Sequence, residues 1–181
     1  MSSAIRAALL LALAALSAIQ CVNARELLQD AGGEAPGPIG GLVTDLGCVV
    51  INEVVHKPED AGEVKGVDFV ELYNTCDAEE DLTGWSITDE KENSFVMGQN
   101  GCDHKIGAGE RLVLFRKNDC SFEFGYGGVD TATLRDATSS VVDKVSWGKE
   151  NANKGLSWSR IPDGGPDFQD GKPTAGGPNS A

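Results

Sequence analysis

The sequence is short of basic residues and of histidine, and both shortages exclude kinds of site. Lys and Arg number 15 against 28 Asp and Glu, so the formal net charge is −13 at pH 7. A surface for nucleic acid or an anionic membrane needs clustered Lys and Arg, and the sequence offers no such cluster. With two histidines and no Cys-x-x-Cys pair, a structural zinc site is not expected either. The acidic balance by itself predicts only a well-solvated surface.

The sequence also lacks an apolar run of the ~20 residues that a membrane-spanning helix needs. Its Ala/Leu-rich stretch Ala7–Ile19 follows the positive residue Arg6 and has the size of the apolar segment of a secretory signal. We therefore predict a signal peptide over residues 1–24, cleaved after Ala24, and a secreted, extracellular protein. A lipidated Cys21 is a weaker alternative, because Gln20 is a poor residue immediately before a lipidated cysteine. An organelle transit peptide is also weaker, because such peptides carry repeated arginines and this stretch does not.

Cleavage there removes one of the five cysteines and leaves an even set. Four cysteines in an exported chain predict two disulfides. If VVINEVV and DFVELYN form an antiparallel hairpin, Cys48 lies opposite Cys76, and the remaining two cysteines bracket the next hairpin. We expect the bonds Cys48–Cys76 and Cys102–Cys120. Reduced, buried cysteines in a cytosolic protein are the alternative.

The chain divides into a leader and one domain. Residues 25–45 are rich in Gly and Pro and have no sustained apolar period, which predicts a flexible leader. Residues 46–179 alternate short apolar runs with turn residues, which is typical of an all-β sandwich or barrel. We predict strands at Cys48–Val55, Asp68–Asn74, Gly84–Thr88, Ser94–Met97, Arg111–Arg116, Thr131–Arg135, Val141–Trp147 and Leu156–Arg160.

These strands predict the core. The first hairpin should turn one face inward, and the later strands should supply the layers that pack against it. The two tryptophans among them are interpreted as core, with a ligand-stacking platform as the alternative. The predicted core residues are Val50, Val54, Val70, Leu72, Trp85, Ile87, Leu112, Leu114, Val142, Val145 and Trp158.

Six segments in order resemble a known family. They read INE at Ile51–Glu53, DFVELYN at Asp68–Asn74, DLTGWSITD at Asp81–Asp89, IGAGERLVL at Ile106–Leu114, VDKVSWG at Val142–Gly148 and SRIPDG at Ser159–Gly164. This series resembles the lamin-tail domain, which implies an immunoglobulin-like β-sandwich. The four domain cysteines and the acidity depart from the lamins and fit an extracellular branch, and the absence of a coiled coil argues against a nuclear, DNA-binding role.

Four residues of the resembling segments are interpreted as fold residues: Asn52, Asn74, Gly84 and Trp85. Asn74 ends a strand, where its side chain can satisfy backbone groups of the following turn. Gly84 allows either a positive φ or a close approach beneath Trp85. None of the four specifies a reaction.

The candidate chemical site is a pair of glutamates. The hairpin register that pairs the cysteines places Glu53 opposite Glu71, and two ionised carboxylates facing each other are unfavourable. They need a shared proton, an arginine such as Arg160, or a cation. We favour a structural network with Arg160 or backbone amides; a metal site and the carboxylate pair of a hydrolase are the alternatives.

Calcium binding is a further alternative. The acidic loop Asp77, Glu79, Glu80 and Asp81 offers oxygen ligands, although such runs usually only solvate turns. The segment from Asp163 through Asp167 to Asp170 departs from the EF-hand spacing. We predict no cofactor.

The resemblance implies a secreted, non-catalytic module that binds extracellular protein or glycan. The alternatives are a small extracellular hydrolase using Glu53 and Glu71, and a calcium-dependent adhesion module.

Overall fold

The computed structural model describes residues 47–58, 66–99 and 101–181, within a compact unit over Leu42–Ala181. The predicted signal peptide and leader lie outside the described residues. The described part contains only strands and irregular structure, and none of it forms a helix that could span a membrane. The strands are β1 (Val49–Val55), β2 (Phe69–Asn74), β3 (Glu80–Asp81), β4 (Ser86–Thr88), β5 (Ser94–Val96), β6 (Lys105–Ile106), β7 (Arg111–Phe115), β8 (Asp130–Arg135), β9 (Val141–Trp147), β10 (Ser157–Arg160) and β11 (Phe168–Gly171).

Two antiparallel sheets form a sandwich. The first has the order β11-β10-β1-β2-β7 and the second the order β5-β4-β8-β9, while β3 and β6 make a separate pair. β1 lies in the middle of the first sheet, between the hairpin partner β2 and the distant β10. This central position explains why all seven residues of β1 are buried.

The core lies between the sheets. Of the predicted core residues, Val54, Val70, Leu72, Ile87, Leu114 and Val145 are buried in its central cluster. The partly buried Trp85, Leu112, Val142 and Trp158 pack against that cluster.

Val50 is the exception among the predicted core residues. It is buried but lies outside the central cluster, whereas Val49 and Ile51 lie within it. The register explains the difference, because Ile51 pairs with Leu72 and Glu53 with Glu71, which leaves Asn52 as an extra residue in β1. A bulge shifts the alternation of side chains by one position. The prediction that Val50 shares the core face of Val54 is therefore wrong.

Three strands are absent from the sequence prediction, and each gives little local signal. β3 and β6 have two residues each, too few to show a period. β11 reads FQDG, which carries one apolar side chain and lies at the sheet edge beside β10. These segments are extended because they pair with a neighbouring strand, and not because their own residues favour a strand.

Both expected disulfides are present. Cys48 bonds to Cys76 with a Cα–Cα distance of 5.1 Å, and Cys102 bonds to Cys120 with a Cα–Cα distance of 5.6 Å. The first ties the start of β1 to the turn after β2. The second ties the segment before β6 to the segment after β7.

We expect the double variant Cys48→Ser/Cys76→Ser to lose about 2–4 kcal/mol of unfolding free energy, because the unfolded chain gains the freedom of an open loop. Urea denaturation without reductant measures the loss. The matched variant Cys102→Ser/Cys120→Ser should lose a similar amount, since its sequence separation of 18 is near the 28 of the first bond. An unchanged midpoint in the first variant would contradict a stabilising role for that bond.

Candidate functional site

The bulge at Asn52 organises the polar interior of the protein. A bulge leaves backbone groups without ladder partners, and in a strand that is wholly buried such groups need other partners. Two side chains from distant strands supply them. The Ile51 N–H donates to Asp143 Oδ2 at 2.7 Å, and Arg160 Nε donates to the Ile51 carbonyl at 2.8 Å.

Asp143 and Arg160 also bind each other. Arg160 Nη2 lies 3.1 and 3.0 Å from the two Asp143 carboxylate oxygens, and Arg160 is 3 % and Asp143 4 % exposed. Arg160 makes further bonds to the carbonyls of Gly165 and Pro166, and its guanidinium lies 4.5 Å from the centre of the Phe168 ring. We call Ile51, Asn52, Asp143 and Arg160 the bulge cluster. It joins β1 to the second sheet and to the chain after β10.

Asn52 connects the bulge cluster to the glutamate pair. Its amide Nδ2 donates at 2.8 Å to both Glu71 Oε1 and Asp163 Oδ1, and its Oδ1 accepts from the Gly164 N–H at 3.0 Å. An asparagine suits this place because one side chain both donates and accepts. The turn after β10 is thereby fixed against the outer side of the first sheet.

Glu53 and Glu71 lie opposite each other on that outer side, and both are 0 % exposed. Residues 172–181, here called the C-terminal tail, supply several of their hydrogen-bond donors. The Thr174 N–H donates to Glu53 at 3.1 and 3.2 Å, and the Gly176 N–H donates to Glu71 at 2.7 Å. Ser159 Oγ adds a bond of 3.3 Å to Glu53. We call Glu53 and Glu71 the acid pair.

The tail is itself held in place by Asn179. Its Nδ2 donates to the carbonyl of Asn52 at 3.1 Å and to the carbonyl of Arg160 at 2.9 Å. A backbone bond from the Lys172 N–H to the Ser180 carbonyl, 3.1 Å long, closes the tail on itself. The acid pair is therefore covered by a short loop with fixed ends.

Burial dominates the electrostatics of the acid pair. Loss of solvent raises the pKa of Glu71 to about 7, and the charge of Glu53 adds to that rise. The hydrogen bonds from Asn52 and Gly176 and the charge of Arg111 act in the opposite direction and lower this pKa. Burial also raises the pKa of Glu53, opposed by bonds from Ser157, Thr174 and Ser159. Near neutral pH the two carboxyls therefore hold a proton more readily than exposed glutamates do.

Arg160 does not join the acid pair, although the sequence grouped the three residues. Its side chain lies on the core side of the first sheet, with Asp143, because β10 turns alternate residues to opposite faces. The arginine nearest the acid pair is Arg111, whose Nε lies 3.7 Å from Glu71 Oε1 and whose Nη2 binds Asp163 at 2.6 Å. The pair is thus covered by backbone amides, an asparagine and serine and threonine hydroxyls.

The predicted fold residues lie at turns and against the core. Asn74 Nδ2 donates to the carbonyls of Ala78 and Ile106 at 2.7 and 3.0 Å, and its Oδ1 accepts from the Cys76 N–H at 2.9 Å. Gly84 has a φ of 84°, which a residue with a Cβ rarely adopts. Trp85 is partly buried against the core.

The acidic loops do not gather into a metal centre in the part of the chain that the structure describes. There, no three His, Cys, Asp or Glu side chains come together in a way that could hold a metal ion. Asp81 instead accepts bonds from the Thr83 N–H and hydroxyl, and Asp163 binds Asn52 and Arg111. These carboxylates serve turns and the sheet face.

Sequence reasoning missed the role of Asp143, although a signal for it exists. Asp143 alternates with Val145 and Trp147, so it occupies an inward position of an apolar strand. A carboxylate at such a position requires a buried partner. The covering role of the C-terminal tail gives no comparable signal, because a Gly/Pro-rich segment that donates backbone amides has no distinctive side chains.

The two packed antiparallel sheets define an immunoglobulin-like β-sandwich, in which the buried Asp143 and Arg160 bind each other and the backbone of Ile51. The sequence matches the Lamin Tail Domain family over residues 43–149, more than half of the chain, and the chain belongs to that family. A search of curated proteins finds no match to this chain.

The sandwich continues beyond the matched residues. β10 and β11 follow residue 149 and complete the first sheet, with β10 paired directly to the central β1. The assignment of Ser159–Gly164 to the family therefore stays a prediction. Physically, this segment is integral to the fold because it carries Arg160 and Asp163.

Proposed function

We propose that the protein is a secreted, non-catalytic module that binds extracellular protein or glycan. The observation that carries the proposal is the burial of the acid pair beneath the protein's own C-terminal tail. A catalytic carboxylate must reach the atoms that react, whereas both glutamates here are 0 % exposed and accept bonds from tail amides. Membership of an immunoglobulin-like family is compatible with an interaction role.

Two features support the extracellular part of the proposal. Two disulfides in a chain of this size are typical of proteins from oxidising compartments. The apolar N-terminal stretch after Arg6 has the pattern of a secretory signal. Together they favour export over a nuclear location.

Expression of the full chain in a secreting cell tests this proposal. The tag belongs within residues 25–45, because a tag at the C-terminus would disturb the tail that covers the acid pair. We expect the protein in the medium, with an N-terminus at Arg25 and both disulfides formed. Retention of the tagged chain inside the cell or in the nucleus would refute the proposed location.

Thermal melting of the secreted protein separates the proposed function from its alternatives. We expect no shift of the melting temperature with calcium or EDTA, and a rise with the protein or glycan that binds. A calcium-dependent rise would instead favour the adhesion module. Turnover of a glycoside panel that Glu53→Gln abolishes, in a variant that still folds, would favour the hydrolase.

A further inference from the structure

The outer face of the four-stranded sheet differs in charge from the rest of the protein. Strand alternation places Ile87, Leu134 and Val145 in the core, so their neighbours along β4, β8 and β9 point outward. The outward residues carry hydroxyls rather than acids. We call this surface the hydroxyl face; its hydroxyl residues are Ser86, Thr88, Ser94, Thr131, Thr133 and Ser146.

The hydroxyls are arranged in rows across the strands. Ser94, Thr88 and Thr133 follow one another through three strands, and Lys144 continues that row on β9. Thr131 Oγ1 lies 2.8 Å from Ser146 Oγ, which confirms that these two side chains share the face. Ser94 and Ser146 are exposed and Ser86 and Thr131 are half-buried, whereas Thr88 and Thr133 in the middle of the face are buried. The hydroxyls open to a ligand therefore lie at the edges of the face.

Two cations and no carboxylate project from the hydroxyl face. Arg135 lies beside Ser86, and Lys144 lies beside Thr133. The two acids in these strands, Asp130 and Asp143, occupy the opposite alternation and are 5 % and 4 % exposed. Among the described residues neither Arg135 nor Lys144 forms an ion pair, although Arg135 Nη1 donates weakly to the Ser139 carbonyl at 3.4 Å. In a chain of net charge −13 this face is complementary to an anion.

Acids at the rim reduce that complementarity without removing it. Asp136 follows Arg135, and bonds from the Thr138 hydroxyl and from the Thr138 and Ser140 N–H groups lower the pKa of its carboxyl, so it stays charged. It lies beyond the end of β8, whereas Arg135 and Lys144 project from the strands themselves. Glu90 and Glu92 lie in the turn between β4 and β5, at the other end of the face from Arg135. Positive charge is therefore concentrated on the β8–β9 side.

The composition of the face favours a polysaccharide over a protein as its occupant. The core of a protein interface is typically rich in aromatic and other apolar side chains. This face has no aromatic residue. Its apolar residues are Val141, which lies beside Arg135 and is 51 % exposed, and the half-buried Val96, which lies beside Ser86. Rows of hydroxyls with an arginine and a lysine suit a ligand that combines sugar oxygens with sulfate or carboxylate groups.

We infer that the hydroxyl face binds a sulfated polysaccharide, with Arg135 and Lys144 contacting its anionic groups. The inference rests on the proposed function and names its ligand class and surface. The exposed Lys144 and the half-buried Arg135 give a weak single contact, and a polymer with repeated anionic groups strengthens it by rebinding. The binding is sensitive to salt, because the Debye length shortens from about 30 Å at 0.01 M to about 8 Å at 0.15 M.

Binding of the secreted full chain to immobilised heparin tests the inference, with the same polymer desulfated as the matched surface. Arg135→Glu and Lys144→Glu should each weaken binding by up to about tenfold, the effect of reversing one exposed contact, and the double variant by more. Lys105→Glu makes the same charge change on β6, at an exposed residue off the face, and should stay within about twofold. All variants should keep the parent melting temperature, since neither cation of the face is buried.

Each alternative result has a defined meaning. Equal binding by the double variant, equal loss with Lys105→Glu, or equal retention on desulfated polymer would overturn the inference. Equal binding of polyglutamate through Arg135 and Lys144 would overturn the polysaccharide as the specific occupant. If heparin fails while another extracellular protein or neutral glycan binds, this inference falls and the proposed function stands. If cells do not export the chain, the proposed function falls whatever heparin shows.

Discussion

Replacing Arg160 with alanine is expected to lower the unfolding free energy by about 3–5 kcal/mol, the range for removing one member of a buried ion pair. The substitution leaves Asp143 charged in a site where it is 4 % exposed. It also leaves the Ile51 carbonyl without its 2.8 Å donor at the centre of the first sheet. Loss of the contact with the Phe168 ring adds to the effect.

Urea denaturation at pH 7 measures this loss. Arg135→Ala is the matched control, because Arg135 is a half-buried arginine of β8 whose one hydrogen bond to the described residues is weak. This substitution should cost less than about 0.5 kcal/mol. Arg160→Lys should recover only part of the loss, since a lysine cannot present a planar fork to Asp143 and to Ile51 together. An Arg160→Ala loss no larger than that of Arg135→Ala would mean that the bulge cluster does not stabilise the fold.

A double variant separates the two roles of Arg160 and Asp143, as an ion pair and as partners of the Ile51 backbone. If Arg160 and Asp143 served only as an ion pair, replacing both with apolar residues would restore stability. Both also bind the backbone of Ile51 at the bulge. We therefore expect Arg160→Met/Asp143→Leu to remain less stable than the parent by about 1–3 kcal/mol, the cost of leaving buried polar groups unsatisfied. Full recovery would contradict the backbone role.

The part of this fold that the sequence predicted is the part governed by local pattern. VVINEVV and DFVELYN are adjacent in the chain, so their hairpin follows from alternation and turn chemistry. The disulfide Cys48–Cys76 and the opposition of Glu53 and Glu71 follow from that hairpin. The short edge strand β11 escaped because its four residues have no apolar period.

The arrangement of the candidate site depends on contacts that no local pattern reports. A bulge adds one residue without changing composition, so the sequence predicted Val50 rather than Ile51 in the core. Asp143 and Arg160 reach Ile51 from strands far away in the chain, and pairing between sheets cannot be derived from a period along one strand. For the same reason the sequence grouped Arg160 with the acid pair. In the structure, the alternation of β10 and the bond to Asp143 hold Arg160 on the core side of the first sheet.

The acid pair should make stability depend on pH in a direction opposite to that of ordinary salt-bridged acids. The pKa of Glu71 is raised from 4.5 to about 7, chiefly by burial. The folded protein thus binds the Glu71 proton more tightly than the unfolded chain does. The resulting stabilisation is fully present below pH 4.5 and is lost as pH rises through about 7. At about 1.36 kcal/mol per pKa unit, the rise from 4.5 to about 7 corresponds to roughly 3 kcal/mol between pH 4.5 and pH 8.

Comparison with Glu71→Gln isolates this contribution. Other groups titrate in the same range; burial lowers the pKa of His56, for example, which makes stability rise with pH. The difference in unfolding free energy between parent and variant, measured in urea from pH 5 to pH 8, removes such shared contributions. The glutamine loses one of the bonds to Asn52 and Gly176, which adds a constant offset. We expect the pH-dependent part to move by about 2–3 kcal/mol in favour of the variant as pH rises. Glu79→Gln, at an exposed glutamate, should give no such trend.

Ending the chain at Lys172 tests whether the C-terminal tail causes this behaviour. The truncation removes the Thr174 and Gly176 donors and admits water to both carboxylates. Renewed solvation lowers the pKa of a buried carboxyl toward its ordinary value. A truncated protein that still folds should therefore be less stable at pH 5 and should lose most of the difference between pH 5 and pH 8. Loss of the donors destabilises the folded protein at both pH values, whereas renewed solvation favours only the ionised form of the carboxyls. A truncation that lowers stability equally at pH 5 and pH 8 would therefore mean that the raised pKa of Glu71 originates in the sheet and not in the tail.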